Sequence, residues 1–208
     1  MTNFKHFSYM MSEYLKERGY SVPIESDTSK LSQSTEEEEP LCKSRLEAID
    51  MDAFAKKGYR KIILPDSETE DDAINTADAF LVNHENNWYF IEFKDGILGN
   101  AKESVLKKAY SNVYAVLDIL YAMQHTKERY AGFDYGNPME FVRHNVTFVL
   151  VFSSAKNPKH VIQFRNHQLK GEKYLPIFME RLPGYIYKDA YAMTEIMFDG
   201  EFAKQFTY

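Results

Sequence analysis

The sequence predicts an α/β fold in which helices flank a central mixed β-sheet, and two observations predict it. Residues 76–82 and 88–94 are apolar segments separated by the polar loop 83–87, which is the pattern of an antiparallel hairpin. An amphipathic segment at 101–123 then leads to a further apolar segment at 145–152. A helical crossover of this kind joins parallel strands, so one sheet is expected to contain both antiparallel and parallel pairs.

The N-terminal segment is expected to form a helix over residues 4–18, because apolar side chains recur there at helical spacing. Serine, threonine and glutamate dominate residues 20–40, which close on four consecutive glutamates and a proline. A segment of this composition has little to bury and predicts a mobile acidic linker. Residues 1–43 are therefore interpreted as a helix and a flexible segment that precede an α/β domain at 44–208.

A second helix is predicted to begin at Ser44, because Ser44 and Glu47 have the spacing of a capping box. Gly58 is expected to end this helix, and a short strand is predicted at 61–64, where Pro65 stops it. The C-terminal extension is expected to contain a helix at 172–180, a strand at 186–193 and a closing helix from Thr194.

The composition excludes several classes of protein. The 31 acidic side chains outnumber the 25 basic ones, so attraction of nucleic acid to the whole surface is not expected, although residues 95–178 contain 11 basic and 7 acidic side chains and can form a local basic face. Cys42 is the only cysteine, which excludes an intramolecular disulfide and a Cys-rich zinc site. No stretch reaches the roughly 18–20 apolar residues of a membrane span, and a cytoplasmic location is expected.

The predicted hairpin brings charged residues together at one end. Pairing around the loop places Val82 opposite Trp88. Four residues further from the loop along each strand, it places Asp78 opposite Glu92. Side chains alternate along a strand, so Lys94 lies on the same face as both carboxylates. Opposed carboxylates repel each other, and a divalent cation between them would remove that cost.

These residue types have the chemistry needed to hydrolyse a phosphodiester. Mg²⁺ takes oxygen ligands and keeps several waters, so one or two carboxylates suffice to hold it. The metal polarises a phosphoryl oxygen and acidifies a bound water. A neighbouring ammonium group orients the attacking water or neutralises charge in the transition state.

Asp78, thirteen intervening residues and then Glu92-Phe93-Lys94 resemble the motif of the PD-(D/E)XK, or restriction-endonuclease-like, nuclease superfamily. The expected order of elements over residues 44–152 is similar to the αβββαβ core of that superfamily. Ala77 stands where the family motif has proline. A literal Pro65-Asp66 pair lies upstream, but it follows the predicted first strand, so the motif is assigned to Asp78.

The resemblance implies a function and a role for each matching residue. It implies a Mg²⁺- or Mn²⁺-dependent nuclease, a hydrolase that acts on DNA or RNA. Asp78, Glu92 and the main-chain carbonyl of Phe93 would bind the metal, and Lys94 would assist catalysis. The family often has an acid on the first core helix, and Glu47 is the residue that matches this position.

Other interpretations of the same residues stay open. Asp78 and Glu92 are alternatively solvated charges at a strand end, and Glu47 is alternatively only a helix cap. The acidic net charge and Ala77 favour a catalytically inactive protein of the same fold that binds a protein or a nucleic acid.

Several residues outside the motif could also contact a substrate. Lys102 and Lys108 lie on the long helix, where the helical angle points Lys108 away from the main apolar stripe and favours a solvated flank. Phe164-Arg165 and the segment 170–173 are interpreted as surface charge, with phosphate contact as the alternative.

Overall fold

A six-stranded mixed β-sheet organises the chain. The computed structural model describes residues 3–34, 38–65, 74–124 and 136–206. The strands are β1 (Glu25–Asp27), β2 (Glu47–Asp50), β3 (Ala79–Val82), β4 (Trp88–Lys94), β5 (Val146–Phe152) and β6 (Asp189–Thr194). Their order across the sheet is the same as their order along the chain.

Helices of very different lengths surround the sheet. They are α1 (Asn3–Lys16), α2 (Thr28–Leu31), α3 (Met51–Phe54), α4 (Arg60–Ile63), α5 (Leu98–Gln124), α6 (Pro138–Asn145), α7 (Pro158–Leu169) and α8 (Glu195–Met197). A π-helical turn, Ala55–Tyr59, makes α3 and α4 continuous. Of the helices that the structure describes, none is both long enough and apolar enough to cross a membrane.

The strand directions confirm the mixed sheet. Strands β1 to β4 form an antiparallel meander, whereas β4, β5 and β6 are parallel to one another. The crossover from β4 to β5 passes through α5, as the sequence predicts. The predicted hairpin register is also confirmed, because Val82 pairs with Trp88 and Phe80 pairs with Phe90.

Apolar side chains cover both faces of the sheet. Phe80 and Phe90 belong to the larger cluster, to which α1 and α5 contribute. Ala79 and Ile91, their neighbours along β3 and β4, belong to a second cluster on the other face, which the C-terminal segment covers. The alternation of strand side chains therefore places the sheet between two apolar layers.

The prediction of a linker over residues 20–40 was wrong for the part that forms β1 and α2. Ile24 and Thr28 are buried there, and Asp27 caps α2 by accepting a hydrogen bond from Lys30 N at 3.0 Å. Thr28 Oγ1 accepts from Leu46 N at 3.1 Å, so hydrogen bonding within the protein replaces solvation of this polar segment. Residues 35–37, in the glutamate-rich part of the linker, lie outside the described residues.

The predicted helix start at Ser44 was also wrong, because residues 47–50 form β2. The helix begins after Asp50, whose carboxylate accepts a hydrogen bond from Ala53 N at 2.7 Å. Gly58 does not end the helix, which continues to Ile63 and replaces the strand predicted at 61–64.

The C-terminal part contains a helix that the sequence analysis missed. Helix α7 occupies residues 158–169, whereas the helix predicted at 172–180 is reduced to a 3₁₀ turn at Ile177–Met179. Strand β6 and the helix that follows Thr194 are as predicted, apart from a later start of the strand at Asp189. No residue of α7 is fully buried, and only Val161 and Phe164 pack partly against the core, so its apolar periodicity is too short to indicate a helix.

Candidate active site

Two carboxylates and two lysines meet at the end of the β3–β4 hairpin. Asp78 immediately precedes β3, and its N–H donates to Ile91 O at 3.1 Å, which continues the antiparallel ladder by one step. Phe93 N donates to Asp78 Oδ2 at 2.7 Å and fixes that carboxylate beside β4. The structure thereby brings Asp78 next to Glu92, as the register predicts.

Lys108 of α5 completes a group that we call the carboxylate–lysine cluster: Asp78, Glu92, Lys94 and Lys108. Lys108 Nζ lies 2.9 Å from Asp78 Oδ1 and 2.9 Å from Glu92 Oε2. Lys94 Nζ lies 2.8 Å from Glu92 Oε1. The two positive and two negative charges balance.

The cluster is largely withdrawn from solvent. The Glu92 side chain is fully buried, while those of Lys108, Asp78 and Lys94 are 13%, 19% and 22% exposed. Burial, together with the charge of Asp78, raises the pKa of Glu92 to about 7, against the opposing effect of the two lysines. Burial alone would lower the pKa of Lys108, but the charges of Glu92 and Asp78 outweigh it and raise that pKa.

The expectation that Lys108 lies on a solvated helix flank was wrong. Buried Val105 and Asn112 lie three positions before and four positions after Lys108, so they share its side of α5. Asn112 Oδ1 accepts a hydrogen bond from Ala77 N at 3.0 Å and positions the backbone that leads into Asp78. The polar side chain of Asn112 concealed this second buried side of the helix in the sequence.

Glu47 lies outside the cluster. It begins β2, its side chain is 67% exposed, and it pairs with Lys5 at 3.2 Å. Asp50, at the other end of β2, is the acid nearer to the cluster, because Met51 N donates to Asp78 O at 3.2 Å. Burial raises the pKa of Asp50, and the charges of Asp52 and Asp78 add to this effect. The signal that sequence reasoning missed is the aspartate at a strand-to-helix junction, which also caps α3.

Two carboxylate oxygens of the cluster converge on one point, which the Lys108 ammonium group occupies. Asp78 Oδ1 and Glu92 Oε2 both face Lys108 Nζ at 2.9 Å. In a strand the N–H and C=O of one residue point to the same neighbour, so the Phe93 carbonyl faces the Asp78 side of β4. Across the described ranges no three Asp, Glu, His or Cys side chains are grouped to hold a metal ion. The donor set fits Mg²⁺ or Mn²⁺ with two carboxylates and waters, provided that the Lys108 ammonium moves away.

A polar cleft lies along the N-terminal part of α5. It has a volume of about 320 Å³ and is lined by Asn75, Asn100, Glu103, Ser104 and Lys107. Asn75 precedes Asp78 by three residues, and Ser104 lies one helical turn before Lys108. The cleft is lined by amide and hydroxyl groups and by the Lys107–Glu103 ion pair, whose Nζ and Oε1 atoms are 3.0 Å apart.

Comparisons with protein-family models, with curated proteins and with solved structures found no match to this chain.

Proposed function

We propose that the protein is a Mg²⁺- or Mn²⁺-dependent nuclease with a PD-(D/E)XK-like core, which hydrolyses phosphodiester bonds of DNA or RNA. The observation that carries the proposal is the meeting of Asp78, Glu92 and Lys94 at one sheet end. The order of elements supports it, because an antiparallel meander (β2–β3–β4) is followed by a helical crossover to parallel β5.

We assign each residue of the cluster a separate role in this reaction. Asp78 and Glu92 hold the metal, which when bound polarises the phosphoryl group and acidifies a water. Lys94, anchored at 2.8 Å to Glu92, keeps an ammonium group at the edge of the metal site, where it orients the attacking water. Lys108, once released from the carboxylates, neutralises charge on the phosphate in the transition state.

The test is cleavage of a panel of single- and double-stranded DNA and RNA in Mn²⁺ by the wild type and by Lys94→Ala. Removing one group that stabilises the transition state lowers the rate by roughly 10²–10³-fold. Lys16→Ala is the matched control, because Lys16 is exposed on α1 and pairs only with its helix neighbour Glu13 among the described residues. Equal activity of wild type and Lys94→Ala would contradict the mechanism.

A second candidate is a catalytically inactive protein of the same fold that binds a protein or a nucleic acid. The observation that favours it is the position of Lys108, which satisfies both carboxylates without a metal. Titration of the wild type with Mn²⁺ separates the two candidates. An inactive binding protein would release no heat with millimolar Mn²⁺, and Asp78→Asn with Glu92→Gln would leave its binding unchanged.

A further inference from the structure

Helix α7 presents charge of a single sign on the surface of an acidic protein. Residues 155–171 contain four basic side chains, Lys156, Lys159, Arg165 and Lys170, and no acidic one, whereas the whole chain has a net charge of −6. None of the twelve residues of α7 is buried. Val161 and Phe164 pack partly against the core, whereas all four basic side chains are exposed.

The helical conformation aligns hydrogen-bonding side chains into a stripe. Lys159, Gln163, Asn166 and Lys170 are spaced at i, i+4, i+7 and i+11, and all four are exposed. Eleven residues of helix separate the outer lysines by about 16 Å. Arg165 is exposed beside this stripe. We call Lys159, Gln163, Arg165, Asn166 and Lys170 the basic face of α7.

The cations of the basic face are available for a partner. Lys156, before α7, pairs with Asp95 at 3.0 Å, and Lys173, after it, pairs with Asp189. Within the ranges that the structure describes, Lys159, Arg165 and Lys170 form no ion pair with a carboxylate.

Lys102 extends the positive surface onto α5. It is exposed in the first turns of that helix. Leu98 N, one helical turn before Lys102, donates to Asn157 Oδ1 at 2.8 Å, so the start of α5 lies against the start of α7.

The start of α7 is fixed against the elements that carry the cluster. Ser153 N donates to Lys94 O at 3.0 Å. The buried Asn157 side chain donates to Gly96 O at 3.0 Å and accepts from Leu98 N at 2.8 Å, so it ties α7 to the end of β4 and the start of α5. The start of α7, which carries the basic face, is therefore hydrogen-bonded to the two elements that supply Glu92, Lys94 and Lys108.

We infer that the basic face of α7, with Lys102, binds the sugar–phosphate backbone of the nucleic acid that flanks the scissile phosphodiester. The inference rests on the proposed function, which identifies the partner as a nucleic acid. It adds the location of the surface that binds this partner. A face about 16 Å long spans about five steps of 3.4 Å along one strand. Lysine, arginine, glutamine and asparagine contacts to phosphates position a substrate without reading its sequence.

The test compares two triple variants that remove the same number of charges. One is Lys159→Gln with Arg165→Gln and Lys170→Gln. The control is Lys16→Gln with Lys30→Gln and Lys204→Gln, three exposed lysines that pair with acids three positions away in the chain. Binding to labelled duplex DNA, duplex RNA and single strands is measured by fluorescence anisotropy in EDTA, between 50 and 200 mM salt, and circular dichroism confirms that each variant is folded.

We expect the α7 variant to bind at least tenfold more weakly at 50 mM salt, and the slope of log K against log salt to decrease by about 2–3, because each lost phosphate contact removes about 0.7–0.9 from it. The control variant should stay within twofold of the wild type. Three results would each overturn the inference: equal weakening in both variants, no weakening in the α7 variant, or wild-type binding to phosphatidylserine vesicles but to no nucleic acid.

A small substrate separates this inference from the proposed function. Bis(p-nitrophenyl) phosphate has a single phosphodiester and no flanking backbone phosphates for α7 to bind, so its hydrolysis in Mn²⁺ reports on the cluster alone. Binding that depends on α7 without this hydrolysis would contradict the nuclease and leave the binding surface standing. Hydrolysis without binding that depends on α7 would support the nuclease and contradict the binding surface.

Discussion

Lys108 and Glu92 depend on each other because both are largely removed from water. Removing one member of a buried ion pair leaves an uncompensated charge, which costs more than the pair itself contributes. Lys108 also faces Asp78, so its removal leaves two carboxylates opposite each other with only Lys94 to balance them. In the proposed nuclease a divalent cation would take the position that Lys108 Nζ holds, and the ammonium and the metal are therefore expected to compete.

Lys108→Met is expected to lower the free energy of unfolding in EDTA by about 3–5 kcal/mol. We expect Mn²⁺ to raise the melting temperature of this variant more than that of the wild type, because the competing ammonium is gone. Differential scanning fluorimetry and calorimetric titration with Mn²⁺ measure the two effects, with exposed Lys107→Met as the control. An Mn²⁺ affinity that is unchanged or lower in Lys108→Met would contradict competition.

The pKa of Glu92 makes stability depend on pH in a defined direction. In the folded protein this pKa is raised to about 7 from the ordinary value of 4.5, so the native state binds more protons than the unfolded state between these values. The contribution of Glu92 is present at low pH and is lost as pH rises towards 7. We expect the stability of the wild type relative to Glu92→Gln to fall by up to about 3 kcal/mol from pH 5 to pH 7.5.

Urea denaturation of both proteins in metal-free buffer at several pH values measures this difference. Unfolding free energies that stay parallel over the whole range would show that Glu92 keeps an ordinary pKa in the folded protein.

At the scale of elements, Gly58 acts in packing rather than in ending a helix. A Cβ atom at this position would lie 2.7 Å from Leu15 Cδ2 and 3.3 Å from Leu15 Cγ, and Leu15 is fully buried in α1. The absence of a side chain allows the π-helical turn to approach α1 closely. The same residue type that predicts a helix end in the sequence thus marks a contact between two helices.

Gly58→Ala is expected to destabilise the protein by about 1–3 kcal/mol, because the added methyl group overpacks the contact with Leu15. In a Leu15→Ala background the same substitution should cost much less, which a double-mutant cycle in urea measures. Gly200→Ala is the control, since its Cβ would meet no atom within 4 Å. Equal costs in both backgrounds would contradict the packing role.

The elements that the sequence predicts well are those whose apolar pattern matches their burial. Strand β4 is predicted with its bounds and register because apolar side chains pair across the hairpin. Strand β2 is missed because Ser44 and Glu47 imitate a capping box, while the actual cap is Asp50. Helix α7 is missed because it lies on the surface and packs only Val161 and Phe164 partly against the core.

The candidate site likewise contains one part that the sequence predicts and one part that it does not. The hairpin register brings Asp78 and Glu92 together, and this is local enough to follow from alternation along two strands. Lys108 lies on α5, far from the hairpin in the sequence. Its contact with Asp78 and Glu92 depends on the rotation of α5 about the helix axis. The alternation and spacing of residues in the sequence do not fix that rotation.

At the scale of the whole molecule, the N-terminal residues and the rest of the chain share one core. Strand β1 pairs with β2, on the two sides of the boundary proposed at residues 43/44. On α1, the buried ring of Phe7 lies 4.9 Å from that of Phe80 and 4.3 Å from that of Trp88, measured between ring centroids. Aromatic contacts of this kind couple α1 to the hairpin that carries the candidate site.

Phe7→Ala is therefore expected to destabilise the whole protein by about 3–5 kcal/mol, through the cavity that it leaves against the hairpin. Trp88 is the only tryptophan, so its fluorescence reports on the hairpin while far-ultraviolet circular dichroism reports on all helices. In urea the two signals should give the same midpoint in the wild type, and both should shift together in Phe7→Ala. Lys16→Ala, an exposed substitution on the same helix, should change stability by no more than about 0.5 kcal/mol. Two separate transitions in the wild type would instead show that residues 1–43 unfold independently of residues 44–208.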